Sequence, residues 1–220
     1  MIHVTQRLSS FPSFHHSSPG FDPCTTKAAR PIADQKEPAV TRALVVVDIQ
    51  NDYFAGGAHP LHEPDAAAAN ARRLQEAFRA NNEPVLNIQH VWDDPEATFM
   101  RPGTAGVEIH ETVAPLPGET VIRKTHPNSF LETSLEETLR GLGVDHVVLC
   151  GMMTSMCVDA TARAASDLGF ETTVVHDACT TRELAFGGET VPARQVHAAF
   201  IAALGSAYAT IVAAADLTLS

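Results

Sequence analysis

Short apolar, β-branched runs alternate with stretches of helical period from Ala43 onward, and this alternation restricts the chain to one class of architecture. The runs Ala43–Asp48, Pro84–His90, Glu119–Lys124, Asp145–Cys150, Glu171–His176 and Ala209–Val212 read as strands. Between them, Pro64–Asn81, Leu131–Leu142, Thr154–Leu168 and Pro192–Leu204 read as helices. Near-continuous hydrophobic strands are those covered on both faces, which is the habit of parallel sheets. Repeated βα units therefore predict an α/β fold with helices on both sides of a mainly parallel sheet. Residues 91–118 hold Pro95, Pro102, Gly103, Gly106, Pro115 and Pro117 and have no period, so they read as one long loop. Loops of that length inside compact domains are commonly functional.

Composition narrows the function. A 220-residue chain is long enough for one domain with a real core. Its formal net charge of −11 leaves no basic footprint for nucleic acid or an anionic membrane surface. The cysteines Cys24, Cys150, Cys157 and Cys179 form neither a disulfide framework nor a paired metal motif, which fits a reducing cytoplasm. Cys150 and Cys179 read as small buried hydrophobes. Residues 1–40 are rich in serine and proline and read as a poorly ordered extension, with the domain over 41–220. Residues 1–33 are acid-poor like a transit peptide but carry too little arginine for one.

The chemistry concentrates at strand ends. A strand stops at Gly151, and a helical pattern then starts that carries Cys157 in its first turn. A helix N-terminus favours negative charge, so this thiol is expected to ionise more easily than a free one, whose pKa is about 8.5. Asp48 ends the first strand after a wholly apolar run, and a buried carboxylate is costly unless paired or used. Lys124 ends the third strand. Doubly wound sheets gather the carboxyl ends of their strands in one crevice, so an acid, a lysine and a cysteine should converge. In that arrangement Lys124 favours a thiolate, Asp48 moves the proton, and the backbone N–H groups of Met153 and Cys157 face a tetrahedral oxyanion. Taken singly, Asp48 and Lys124 would more often form a structural ion pair, and Cys157 would most often be core. Three independent strand-end placements favour the catalytic reading.

Asp48-Ile-Gln-Asn-Asp-Tyr-Phe, Lys124 and Gly151-Met-Met-Thr-Ser-Met-Cys157-Val-Asp-Ala-Thr resemble the isochorismatase-like cysteine hydrolase superfamily over residues 42–213. That resemblance implies a three-layer α/β/α fold with a six-stranded sheet of Rossmann-like topology, and a triad of Asp48, Lys124 and Cys157. It also implies a cis peptide at Met152–Met153 and a homodimer or homotetramer. Nicotinamidases of this superfamily share an Asp-x-His metal motif after the second strand. Here the stretch reads Gln89-His90-Val91-Trp92-Asp93, so no metal and no other cofactor is expected. Isochorismatases that cleave a vinyl ether usually lack the cysteine, so Cys157 points to amide chemistry. Pro102–Gly106, Ile109-His110 and Pro127–Phe130 resemble a branch similar to streptothricin hydrolase, which opens a lactam. Tyr53, His90, Trp92 and Phe130 are candidate substrate contacts near the strand ends. The resulting expectation is a metal-independent hydrolase of a small amide or lactam acting through a thioester. A vinyl-ether hydrolase and a non-catalytic binding module on the same fold are the alternatives.

Overall fold

The computed structural model of the protein describes residues 41–218, so the extension expected over residues 1–40 lies outside the described residues. Six strands form one sheet: β1 (Arg42–Val47), β2 (Val85–His90), β3 (Thr120–Lys124), β4 (His146–Met152), β5 (Glu171–Thr180) and β8 (Thr210–Val212). The order is β3-β2-β1-β4-β5-β8, and every neighbouring pair is parallel. Four helices, α1 (Pro64–Ala80), α2 (Leu135–Gly141), α3 (Asp159–Asp167) and α4 (Ala193–Ala207), accompany the sheet. No helix among the described residues is long and apolar enough to cross a membrane.

Burial follows the sequence pattern. Five consecutive residues of β1, Ala43 to Val47, are fully or almost fully buried, as are Val147, Val148, Leu149 and Cys150 of β4. Helix α1 buries Ala67, Ala68, Ala71, Leu74 and Phe78 at helical spacing, and its small alanines allow close approach to the sheet. Proline in its first turn suits a position whose N–H needs no intrahelical partner.

The order in which strands are added reverses between β1 and β4, with β2 and β3 on one side and β5 and β8 on the other. That switch point opens a crevice at the carboxyl ends. Register fixes what reaches it. Val47 pairs with Gly151, and His90 pairs with Lys124, so the residues after β1 and β4 and the last residues of β2 and β3 end at one level. Gly151 is required there: a Cβ on it would lie 2.0 Å from the Val47 carbonyl oxygen, and its φ is +132°.

Four elements differ from the sequence expectation. Helix α2 starts at Leu135 rather than Leu131, because Glu132 takes a left-handed φ of +56° and Thr133 bonds back to the Ser129 carbonyl. Strand β5 runs on to Thr180, four residues past His176, across a register shift against β4. Residues 154–158 form a π-helical turn, and α3 starts only at Asp159. Finally, β6 (Leu184–Phe186) and β7 (Glu189–Val191) form a separate antiparallel hairpin around Gly187 and Gly188, both with positive φ. Such paired glycines are what a two-residue hairpin turn demands.

Candidate active site

Asp48, directly after β1, has a left-handed backbone with φ +51° and a fully buried side chain. Aspartate is among the few residues that tolerate this conformation. Its Oδ2 lies 2.7 Å from Lys124 Nζ at the end of β3. The ammonium also donates to the carbonyls of His126 and Pro127, each at 3.0 Å, and stands 3.3 Å from His90 Nδ1. That same nitrogen is 3.8 Å from Asp48 Oδ2 and 3.8 Å from Cys157 Sγ. The structure thus brings Asp48, Lys124, Cys157 and His90 into one cluster, with solvent exposures of 0%, 2%, 3% and 5%. Asp48 Oδ1 and His90 Nε2 are buried there without a hydrogen-bonding partner among the described residues.

The turn that carries the thiol has its own logic. The Met153 carbonyl accepts from the N–H of Met156 and, five residues on, from that of Val158. The widened turn sets Cys157 beside the ends of β1, β2 and β3, and such turns concentrate at functional sites. The Met152–Met153 peptide that precedes it is cis. Ser155 and Thr181 share a 2.7 Å hydroxyl contact, and Thr154 bonds the His197 ring at 2.9 Å, so both flanks of the turn are fixed.

Electrostatics correct one expectation. Burial pushes the Cys157 thiol well above the ordinary range, the Asp48 charge adds to this, and Lys124 only partly opposes it. Burial and the Asp48 charge thus oppose the easy ionisation expected from the helix end and the cation. Sequence reasoning counted the cation and the helix end but could not count desolvation, which is the larger effect for a group at 3% exposure. Burial alone would raise the Asp48 carboxyl, but Lys124 and then His90 outweigh it and hold the group below its usual value. Lys124 is the mirror case: burial disfavours its charge, Asp48 outweighs that, and the ammonium is retained. Their pairing favours the charged forms of Asp48 and Lys124, while burial and Asp48 favour the protonated form of Cys157.

Asp48, His90 and Cys157 also offer three ligand atoms within 4.8 Å of one another. The Lys124 ammonium lies 2.7 Å from the Asp48 oxygen and 3.3 Å from the His90 nitrogen of this set.

The aromatic candidates divide. Tyr53 is 1% exposed, and burial pushes its hydroxyl well above the ordinary range. Trp92 lies over His90, ring centroids 5.7 Å apart, and stays 40% exposed. Phe130 is placed elsewhere. Its ring stacks on Phe170 at 5.9 Å, beside the amino end of β5, because the larger apolar partner lies there. Sequence reasoning missed Phe99, which packs against Tyr53, His59 and Trp92 at 6.2, 4.3 and 5.2 Å and links the cover over the cluster. It also missed Gln50 and Asp52. Gln50 bonds both backbone groups of His90 and the Val107 carbonyl. Asp52 accepts from the N–H of Met100 and of Ala58, tying two loops together. An acid and an amide so close after Asp48 were the only signal for them.

A family model for the isochorismatase domain matches residues 42–216. The chain belongs to the isochorismatase family. Among relatives of this isochorismatase-family hydrolase is the isochorismatase family protein YddQ of Bacillus subtilis, 49% identical over 172 residues, covering 78% of this chain and 96% of that one. Streptothricin hydrolase of Streptomyces noursei is 35% identical over 167 residues, covering 74% of this chain and 59% of that one. A solved isochorismatase-family hydrolase from Oleispira antarctica superposes with a TM-score of 0.78 at 45% identity, over 81% of this chain and 96% of that one. N-carbamoylsarcosine amidase from Thermoplasma acidophilum superposes with a TM-score of 0.70 at 27% identity, over 82% of this chain and 100% of that one.

Proposed function

We propose that this family member is a cysteine amidohydrolase that cleaves a carbon–nitrogen bond of a small amide or lactam without a metal ion. The supporting observation is the shared buried cluster of Asp48, Lys124 and Cys157, in which one residue can supply each requirement of acyl transfer. Relatives named for amide hydrolysis, among them streptothricin hydrolase and N-carbamoylsarcosine amidase, support the same bond class.

In this reading the thiol proton passes to Asp48 as Cys157 Sγ attacks the substrate carbonyl. A thiol that burial pushes upward suits a step in which proton transfer and attack are coupled. Lys124 keeps Asp48 ionised beforehand and offsets the charge that develops. The N–H groups of Met153 and Cys157 receive the oxyanion; a donor of that kind is worth about 3 kcal/mol. Asp48 then returns the proton to the leaving nitrogen, which departs as an amine and leaves a thioester on Cys157. Water, deprotonated by Asp48, attacks the thioester and frees the acid and the thiol. Tyr53, His90 and Trp92 contact the substrate, and the partnerless His90 Nε2 and Asp48 Oδ1 gain bonds when it arrives. The Lys124 ammonium supplies locally the positive charge that a metal would otherwise bring.

A screen of small amides and lactams, read by release of ammonia or amine, tests this. Turnover by the unmodified protein and a loss of about 10³-fold or more in Cys157→Ala is the expected result. Full activity in that variant would overturn the reading and favour water as the direct nucleophile.

A further inference from the structure

His90 joins the cluster through one ring nitrogen, Nδ1, while the other, Nε2, is buried without a hydrogen-bonding partner among the described residues. In a neutral imidazole one nitrogen donates and the other accepts. The surroundings of Nδ1 distinguish the two arrangements. Lys124 Nζ can only donate, and it stands 3.3 Å from Nδ1. A proton on Nδ1 would point N–H against N–H there. Asp48 Oδ2, at 3.8 Å, is too far to accept that proton in its place. A bare Nδ1 faces the ammonium as an acceptor, and the ring proton then belongs on Nε2.

The ring is fixed in this position. It belongs to a residue that is 5% exposed, and β2 pairs it in register with Lys124. Gln50 bonds both the N–H and the carbonyl of His90 at 2.8 Å. The Trp92 ring stacks on the imidazole with an interplanar angle of 27°. A buried donor left without an acceptor is destabilising, so a ligand that supplies the acceptor is favoured over one of the same shape that does not. Nε2 is two bonds of about 1.3 Å from Nδ1, which is 3.8 Å from Cys157 Sγ, so it stands within about 6.5 Å of the sulfur. A carbonyl carbon under attack sits about 3–3.5 Å from that sulfur, and an oxygen a few bonds further along the substrate reaches Nε2. The cluster's cation, Lys124, is already paired with Asp48, so a buried carboxylate at this point would go unbalanced. An uncharged carbonyl oxygen matches the donor.

We propose that His90 donates from Nε2 to a second, uncharged carbonyl of the substrate, beside the one that Cys157 attacks, and so selects amides that carry such an acceptor. This specificity role rests on the amidohydrolase reading for its chemistry, while the donor itself does not.

The test uses malonamide and isovaleramide, which share a shape and differ in the second amide group. In calorimetric titration of Cys157→Ala protein, malonamide binds about 10- to 100-fold more tightly than isovaleramide. Adding His90→Phe brings the two probes level, and His90→Gln, which keeps a side-chain N–H donor, recovers part of the difference. In turnover, His90→Phe lowers the ratio of kcat/KM for malonamide over isovaleramide by the same factor, and a general disturbance of the site cancels in that ratio. Nitrogen NMR of protein labelled in its histidines, with the ring of His90 assigned through its own backbone, shows Nε2 protonated and Nδ1 bare near neutral pH. That measurement needs no His90 variant to fold. A proton on Nδ1, equal binding of the two probes, binding of neither, or an unchanged ratio overturns the role of His90, even where some amide is hydrolysed. Malonamide binding through His90 without hydrolysis of any amide would instead sink the amidohydrolase reading and leave the donor standing. Circular dichroism of each variant confirms that the fold is kept.

Discussion

Lys124 Nζ stands 2.7 Å from Asp48 Oδ2, and both side chains are fully buried. Each charge is tolerable only because of the other. Removing one partner strands the other in a medium that cannot solvate it, which costs about 3–5 kcal/mol. Lys124→Met should therefore lower the midpoint of urea unfolding sharply, and Asp48→Asn/Lys124→Met should recover much of that loss while remaining inactive. A single Lys124→Met variant as stable as the unmodified protein would mean that the pair is not held as described.

The pH behaviour follows from the same cluster. Asp48 has a lowered pKa, so its contribution to stability is full above the unfolded carboxylate value of about 3.9 and is lost as the pH falls. Cys157, Cys150 and Cys179 have raised values, Cys179 to about 12, all through burial first. Their contribution is full below the unfolded thiol value of about 8.5 and is lost as the pH rises above it. Stability measured by chemical unfolding should form a plateau between about pH 5 and pH 8. The 240 nm absorbance difference between the unmodified protein and Cys157→Ala should show no thiolate step within that window. A step near neutrality would restore the ionised thiol that the sequence suggests.

Gly106 lies against Asp52: a Cβ there would come within 2.1 Å of Asp52 Oδ1. Asp52 holds Met100 and Ala58 on either side of the aromatic cover. Gly106→Ala should cost about 1–3 kcal/mol in thermal or urea unfolding, the usual penalty of overpacking. Because both loops shift, KM should rise more than kcat falls. An unchanged melting temperature would show that Asp52 can move away freely.

Phe99 joins Tyr53, His59 and Trp92 above the cluster. Phe99→Ala should open that cover, so the ratio of kcat/KM for bulky over small amides should increase. An unaltered ratio would place the entrance elsewhere.

The sheet and the convergence of Asp48, Lys124 and Cys157 were legible because both rest on properties that a sequence displays. Ala43–Val47 and Val147–Cys150 advertise buried strands, and parallel strands must end on one side, so Asp48, Lys124 and Cys157 could be brought together without coordinates. Phe99 was not legible, because residues 91–118 have no period from which to infer a contact. The hairpin at 184–191 was marked by Gly187-Gly188, but its strands are too short and exposed to carry a pattern. Phe130 was misplaced because its partner, Phe170, is forty residues away in sequence. The upward pull of burial on the Cys157 thiol was not legible for a different reason. Proximity to a cation can be guessed from strand ends, whereas the depth of burial that outweighs it depends on the whole cover.

The proposed reaction requires that Cys157 become acylated. Mixing the protein with a slowly hydrolysed activated amide, quenching in acid and mapping the peptides by mass spectrometry measures this directly. One acyl adduct is expected, on Cys157, accumulating before steady state and absent from Cys157→Ala, with Cys150 and Cys179 unmodified. Steady product release with no adduct on Cys157, or an equal rate of hydrolysis by Cys157→Ala, would contradict it.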